Sequence, residues 1–187
     1  MRVGLFSFAL AVVVNYSSDL ALGRVPVVVA FLIVLLLVAI GILFDIVGTS
    51  VTAAEIPPLN AMAAKKVPGA RQALWLVRNA DRVANICNDV VGDVSGAVSG
   101  AAGTTVALKL NESLQGGSVA LQLIDLAMIA LIASLTVGGK AAGKSFAIEK
   151  ATQVVYVAGR VIHFIETVTG RQMTGARGST PSRRRST

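Results

Sequence analysis

Read for its hydrophobic and polar positions, the chain divides into long apolar runs separated by short polar stretches rich in proline or glycine. The longest uncharged run is Val25 to Phe44, between Arg24 and Asp45. About 20 helical residues rise about 30 Å, which matches the hydrocarbon core of a bilayer. Pro26 stands at the start, where a missing N–H is harmless. Upstream, Val3 to Ser18 is also uncharged but holds Asn15 and Tyr16. Arg2 fits the n-region of a signal peptide, yet no A-x-A-like cleavage site precedes Asp19, so an uncleaved spanning helix is expected. A third run, Val83 to Leu108, contains Asp89 and Asp93, with Gly92, Gly96 and Gly100 recurring every four positions. Small residues at that spacing allow membrane helices to approach closely. After a turn at 111–117, the last run is Ser118 to Gly139, which carries only Asp125 and is followed by Lys140.

Two stretches are amphipathic instead. Glu55-Ile-Pro-Pro breaks the second run, because Pro57 and Pro58 lack donors and restrict the residue before them. From there to Arg82, Leu59, Met62, Leu74 and Trp75 alternate with Lys65, Lys66, Arg71 and Arg78. Two short helices lying in the membrane interface have this composition, with Trp75 at headgroup level, and a solvated loop is the alternative. Lys144 to Thr169 repeats the pattern, opposing Phe146, Val154, Val157, Val161 and Ile165 to Lys150 and Arg160. Residues 171–187 are rich in Gly, Ser, Thr and Arg and end near Arg183-Arg184-Arg185. A disordered basic tail able to touch anionic lipid is expected there.

Composition sharpens the membrane reading. Of 187 residues, 54% are hydrophobic and only 14% charged, and the mean hydropathy is +0.72. A soluble domain carries nearer a quarter charged residues. The net charge of +7 is no sign of nucleic-acid binding, because aromatics are scarce and none interleaves with basic residues as a stacking platform. With four spans and both termini cytoplasmic, 15 of the 17 Lys and Arg fall on the inner side, leaving only Arg24 and Lys109 outside. That bias follows the positive-inside rule. The single cysteine, Cys87, excludes an internal disulfide and reads as a packed thiol.

Intramembrane charge is then the place to look for chemistry. Asn85, Asp89 and Asp93 are spaced i, i+4, i+8 and share one face of a helix. Each aspartate at mid-membrane costs roughly 2.5–3.5 kcal/mol, so the pair should face protein, water or a cation. Carboxylate, amide and carbonyl oxygens suit Mg²⁺ or Ca²⁺, and Asp45, Thr49 and Ser50 could add oxygens from a facing helix. The competing possibility is that Asp89 or Asp93 pairs with Lys140 and only fixes the bundle. No hydrolytic machinery is visible: His163 is alone on an amphipathic stretch, and Gly138-Gly139-Lys140 lacks the spacing of a phosphate loop.

Phe44-Asp-Ile-Val-Gly-Thr-Ser through Arg71-Gln-Ala-Leu-Trp-Leu-Val-Arg-Asn-Ala-Asp-Arg resembles the cyclin M (CNNM)/CorC transmembrane domain. That family has a Phe-Ser-Gly-x-Glu-type motif closing a span, a two-helix juxtamembrane belt, and Asn-Pro-Asp-Arg opening the next helix. Asn79-Ala-Asp-Arg82 takes the last place without a gap from Phe44. Gly139-Lys-Ala-Ala-Gly-Lys-Ser-Phe-Ala147 is similar to the family's Gly-Glu-x-x-Pro-Lys-x-x-Ala motif. The resemblance covers roughly residues 25 to 170. It implies three core spans, a belt, a homodimer, and a role in Mg²⁺ export or its regulation through oxygens of the three spans. Asp45 falls at the family's serine and Gly139 at the glycine of its last motif. The departures are Gly48 and Lys140 at glutamates and Gly143 at the proline, while Val91 and Gly92 stand at an Asn-Asn pair. No nucleotide-binding CBS domain follows.

The expectation is therefore an all-α, polytopic protein of the plasma membrane, probing no nucleic acid and carrying out no enzymatic reaction. Residues 1–24 supply an extra N-terminal span and outer loop, 25–170 the core domain with its belt at 55–82, and 171–187 the tail. The expected metal ligands are Asp45, Ser50, Asn85, Asp89, Asp93 and Gly139, with Mg²⁺ as the ion. The alternative function is a non-transporting scaffold or accessory subunit that packs through its glycine-rich helix face.

Overall fold

The computed structural model describes residues 2–170, so the expected basic tail at 171–187, with its lipid contact, lies outside the described residues. Among them there is helix and turn but no strand. The order is α1 (Arg2–Gly23), α2 (Val27–Ala53), α3 (Ile56–Ala64), α4 (Ala70–Arg78) and α5 (Ala80–Ala84). A π-helical segment (Asn85–Gly92) then leads into α6 (Asp93–Ser113), α7 (Ser118–Glu149) and α8 (Ala151–Thr169). Among the described residues, two helices are long and apolar enough to cross a membrane, α2 with 27 residues and α7 with 32. The N-terminal helix holds a shorter apolar stretch, Ser7–Ser17. The third apolar run is helical throughout, but its glycines and serines make it less hydrophobic than those two.

Local chemistry sets the breaks. α2 begins just after Pro26 and ends at Ala54, whose extended backbone (φ −74°, ψ 142°) stops the ladder. The break precedes the prolines, which open α3 in its first turn. Between α3 and α4 the chain reverses through Lys66 (φ 56°) and Gly69 (φ 84°). The 114–117 turn uses Gln115 (φ 52°), and the Asn111 amide donates to the Gly116 carbonyl at 3.2 Å. One expected boundary is absent: α7 does not stop at Gly139 but runs to Glu149. Glycine in a helix interior costs about 1 kcal/mol, and packing offsets it here. The Ile42 side chain fills the space over Gly139, and Ile46 Cγ1 stands 2.8 Å from where a Cβ would lie on Gly143.

Two apolar cores result. The first joins Leu22 of α1, Ala30, Val34 and Val38 of α2, Ala102 and Val106 of α6, and Ile132 of α7. The second joins Val51 at the far end of α2 with Leu59 of α3, Leu76 of α4 and Val155 of α8. Outside the first core, large apolar side chains such as Leu32, Leu36, Leu123, Leu126 and Leu131 are exposed. Between Val38 and Val51, the side of α2 buried against its neighbours carries Gly41, Asp45, Gly48 and Ser50. That interval positions the polar residues of the bundle.

Candidate functional site

The site lies where α2 crosses the π-helical segment. Positions 41, 45 and 48 recur at i, i+4 and i+7, so they share one face of α2. Two of them are glycines, and the neighbouring backbone comes close. A Cβ on Gly41 would stand 3.1 Å from Ser95 Cβ and 3.4 Å from the Gly92 carbonyl oxygen. A Cβ on Gly48 would stand 2.7 Å from Asn88 Cγ and 3.0 Å from Cys87 Cβ, and would overlap Asn88 Oδ1. Asn88 therefore occupies the volume that any side chain at 48 would need. π-helical turns widen the helix and recur at functional sites.

Asp45 stands between these two glycines. It is 4% exposed, and its Oδ2 has no hydrogen-bond partner. Asn88 Oδ1 is likewise buried without one. The two helices of this crossing thus each carry one unsatisfied oxygen. An ionised carboxylate held dry and unpaired costs several kcal/mol, and a bound cation would offset that cost.

The remaining expected ligands are placed elsewhere or are engaged. Ser50, fully buried, donates its hydroxyl to the Ala147 carbonyl at 3.1 Å and ties α2 to α7. Gly139 has its Cα face covered by Ile42. Asn85, Asp89 and Asp93 do share a side of their helix, but that side is the exposed one. Asp93 accepts from the Lys140 ammonium at 3.0 Å, the pairing that competes with cation binding. Lys140 is the more enclosed partner, with 19% of its side chain exposed against 72% for Asp93. Its Nζ lies 3.5 Å from the position a Cβ would take on Gly92, close to the crossing but bonded away from Asp45.

Among the described residues, no three His, Cys, Asp or Glu side chains converge as a metal cage. Any cation at this crossing would rely on one carboxylate and on neutral oxygens. Asn88 is the residue that sequence reading passed over. The spacing of its own helix does not mark it, and the small-residue face of α2 leaves room over Gly48 without saying which side chain fills it. His163 is no lone group either: its Nδ1 is 3.4 Å from Gln72 Nε2, which donates to Glu166 at 2.7 Å and bridges α4 to α8. Compared with protein-family models, with curated proteins and with solved structures, the chain matches none significantly.

Proposed function

We propose that this chain is a polytopic protein of the plasma membrane that binds a small hard cation, Mg²⁺ foremost, at the Asp45–Asn88 crossing. In this reading α1, α2, the 80–113 helix and α7 are spans, three of them the core, with both termini cytoplasmic. The protein works as a homodimer in the manner of the CNNM/CorC transmembrane domain, transporting or sensing the ion. The exposed leucines of α2 and α7 support immersion in lipid, because a water-soluble surface rarely carries so much contiguous apolar area. One observation carries the cation site: the buried Asp45 carboxylate of α2 lacks a hydrogen-bond partner, and so does the Asn88 side-chain oxygen of the π-helical segment that α2 crosses. A site with one formal charge binds weakly, with Kd on the order of 10⁻⁴–10⁻³ M.

Calorimetric titration of Mg²⁺ into detergent-purified protein tests this. Saturable heat is expected from the wild type and from Asp89→Asn, and none from Asp45→Asn. Silence from folded wild-type protein at millimolar Mg²⁺ would sink the reading. A second reading, a membrane scaffold or accessory subunit, is favoured by the Lys140–Asp93 pair and by an apolar groove of about 180 Å³. Gly96, Gly100, Ile129 and Val137 line that groove, where a partner helix could seat.

A further inference from the structure

Helix α8 is apolar on two opposite faces. One face packs inward: Ala151, Val155 and Gly159 are buried, and a Cβ on Gly159 would stand 2.5 Å from the Gly69 carbonyl oxygen. The other carries Val157, Val161, Phe164, Ile165 and Val168, between 38% and 70% exposed. At 100° per residue these five fall within about 100° of arc, directly across the helix from Val155. Nothing among the described residues covers them.

A cluster of cations borders the stripe. Arg160 lies on the Gly69 turn, with its Cα 2.7 Å from the position of a Cβ there. That turn is flanked by Lys65 and Lys66 on one side and Arg71 on the other, and all four cations are exposed. Neither the Lys140–Asp93 nor the Lys150–Glu149 ion pair involves any of the four, and none of them has a carboxylate partner among the described residues. Unpaired cations beside an apolar stripe match a leaflet rich in anionic headgroups, where acyl chains take the stripe and phosphates take the cations.

We infer that α8 lies in the membrane interface and docks its outer face on anionic phospholipid. The inference rests on the reading of the chain as a membrane protein. Its test uses fluorescence quenching by brominated lipids in proteoliposomes, in a Trp75→Phe background that removes the single tryptophan. A Phe164→Trp reporter is compared with a Leu36→Trp reporter in the middle of α2. In phosphatidylcholine mixed with phosphatidylglycerol, the α8 reporter is expected to lose about half its emission to bromines near the headgroup and little to deep ones. The α2 reporter should show the reverse. Replacing Lys65, Lys66, Arg71 and Arg160 with Gln should weaken quenching of the α8 reporter.

An unquenched α8 reporter beside a deeply quenched α2 reporter overturns the inference and leaves the membrane reading standing. Two unquenched reporters overturn the membrane reading itself. Equal quenching of the α8 reporter in neutral and anionic vesicles overturns the headgroup assignment. Shielding of that reporter with energy transfer between labelled copies would instead assign the face to a second copy. If Trp75→Phe loosens the belt, a nitroxide on Phe164→Cys reads the same depth by relaxation, because Cys87 is buried.

Discussion

The Lys140 ammonium is bonded to Asp93 at 3.0 Å, although the buried Asp45 has no partner. The pair links α7 to the first residue of α6, immediately after the π-helical segment, and so fixes the wall of the crossing opposite α2. In the proposed site, Lys140 is a permanent positive charge beside the cation. Lys140→Gln should therefore tighten Mg²⁺ binding by about tenfold or more, since a unit charge about 10 Å from a divalent ion at an effective dielectric near 20 repels it by about 3 kcal/mol, of which the paired Asp93 offsets part. Calorimetry on the variant checks this. Unchanged or weaker affinity would mean that Lys140 holds the site together rather than opposing the ion.

The same pair should contribute modestly to stability. Asp93 is 72% exposed, and pairs open on one side couple by about 0.2–1 kcal/mol. A double-mutant cycle of Lys140→Ala and Asp93→Asn, read by thermal unfolding in detergent, should give a coupling in that range. A coupling above about 3 kcal/mol would show the pair to be enclosed, as it would be if a second copy covered Asp93.

Glycine positions divide sharply by what stands over them. A Cβ at Gly159 would meet the Gly69 carbonyl oxygen at 2.5 Å and the Ala73 nitrogen at 2.6 Å, both backbone atoms that cannot rotate away. Gly159→Ala should destabilise the belt by about 1–3 kcal/mol or more. Gly100 has nothing within 4 Å, and Ala is the better helix former by about 1 kcal/mol. Gly100→Ala should be neutral or stabilising in the monomer. If it instead disrupts an assembly, the groove beside it holds a partner helix and the scaffold reading gains.

Much of the fold was legible because it depends on local signals. The α2 run, the two short helices after the Pro57-Pro58 break and the turn near 114–117 each follow from apolar length or from residues suited to turns. The continuation of α7 through Gly138 and Gly139 was not legible, because the compensation comes from Ile42 and Ile46 on another helix. The site was legible in part. Asp45 was found from its place at the end of an apolar run. The polar spacing at Asn85, Asp89 and Asp93 located a real face of the helix but could not tell inside from outside. That distinction depends on which side α2 approaches, and the small residues Gly41 and Gly48 set it. Asn88 followed only once that approach was known.

Gly48→Ala should act on the site before it acts on the bundle. The added methyl needs the volume held by the Asn88 amide, a side chain that can rotate away, while Cys87 Cβ at 3.0 Å gives little. A loss of about 1–3 kcal/mol is expected, with Mg²⁺ affinity falling as Asn88 leaves the crossing. Asn88→Ala alone should weaken Mg²⁺ binding without the steric penalty, and it should partly restore the stability of Gly48→Ala in the double variant.

Asp45→Asn separates a cation site from a purely structural aspartate. Without an ion, the wild type buries a carboxylate whose Oδ2 has no partner, and an unpaired buried charge costs folding free energy. An amide carries no charge, so Asp45→Asn should unfold at a higher temperature than ion-free wild type. Saturating Mg²⁺ should then close the gap from the wild-type side alone. At ten times Kd, binding to the folded state adds about 1.4 kcal/mol, whereas the variant, lacking the ligand charge, should be insensitive to Mg²⁺. Thermal unfolding of both proteins across a Mg²⁺ series, with K⁺ holding ionic strength constant, reads the two slopes directly. Parallel curves would show that Asp45 is purely structural and that Mg²⁺ does not bind it.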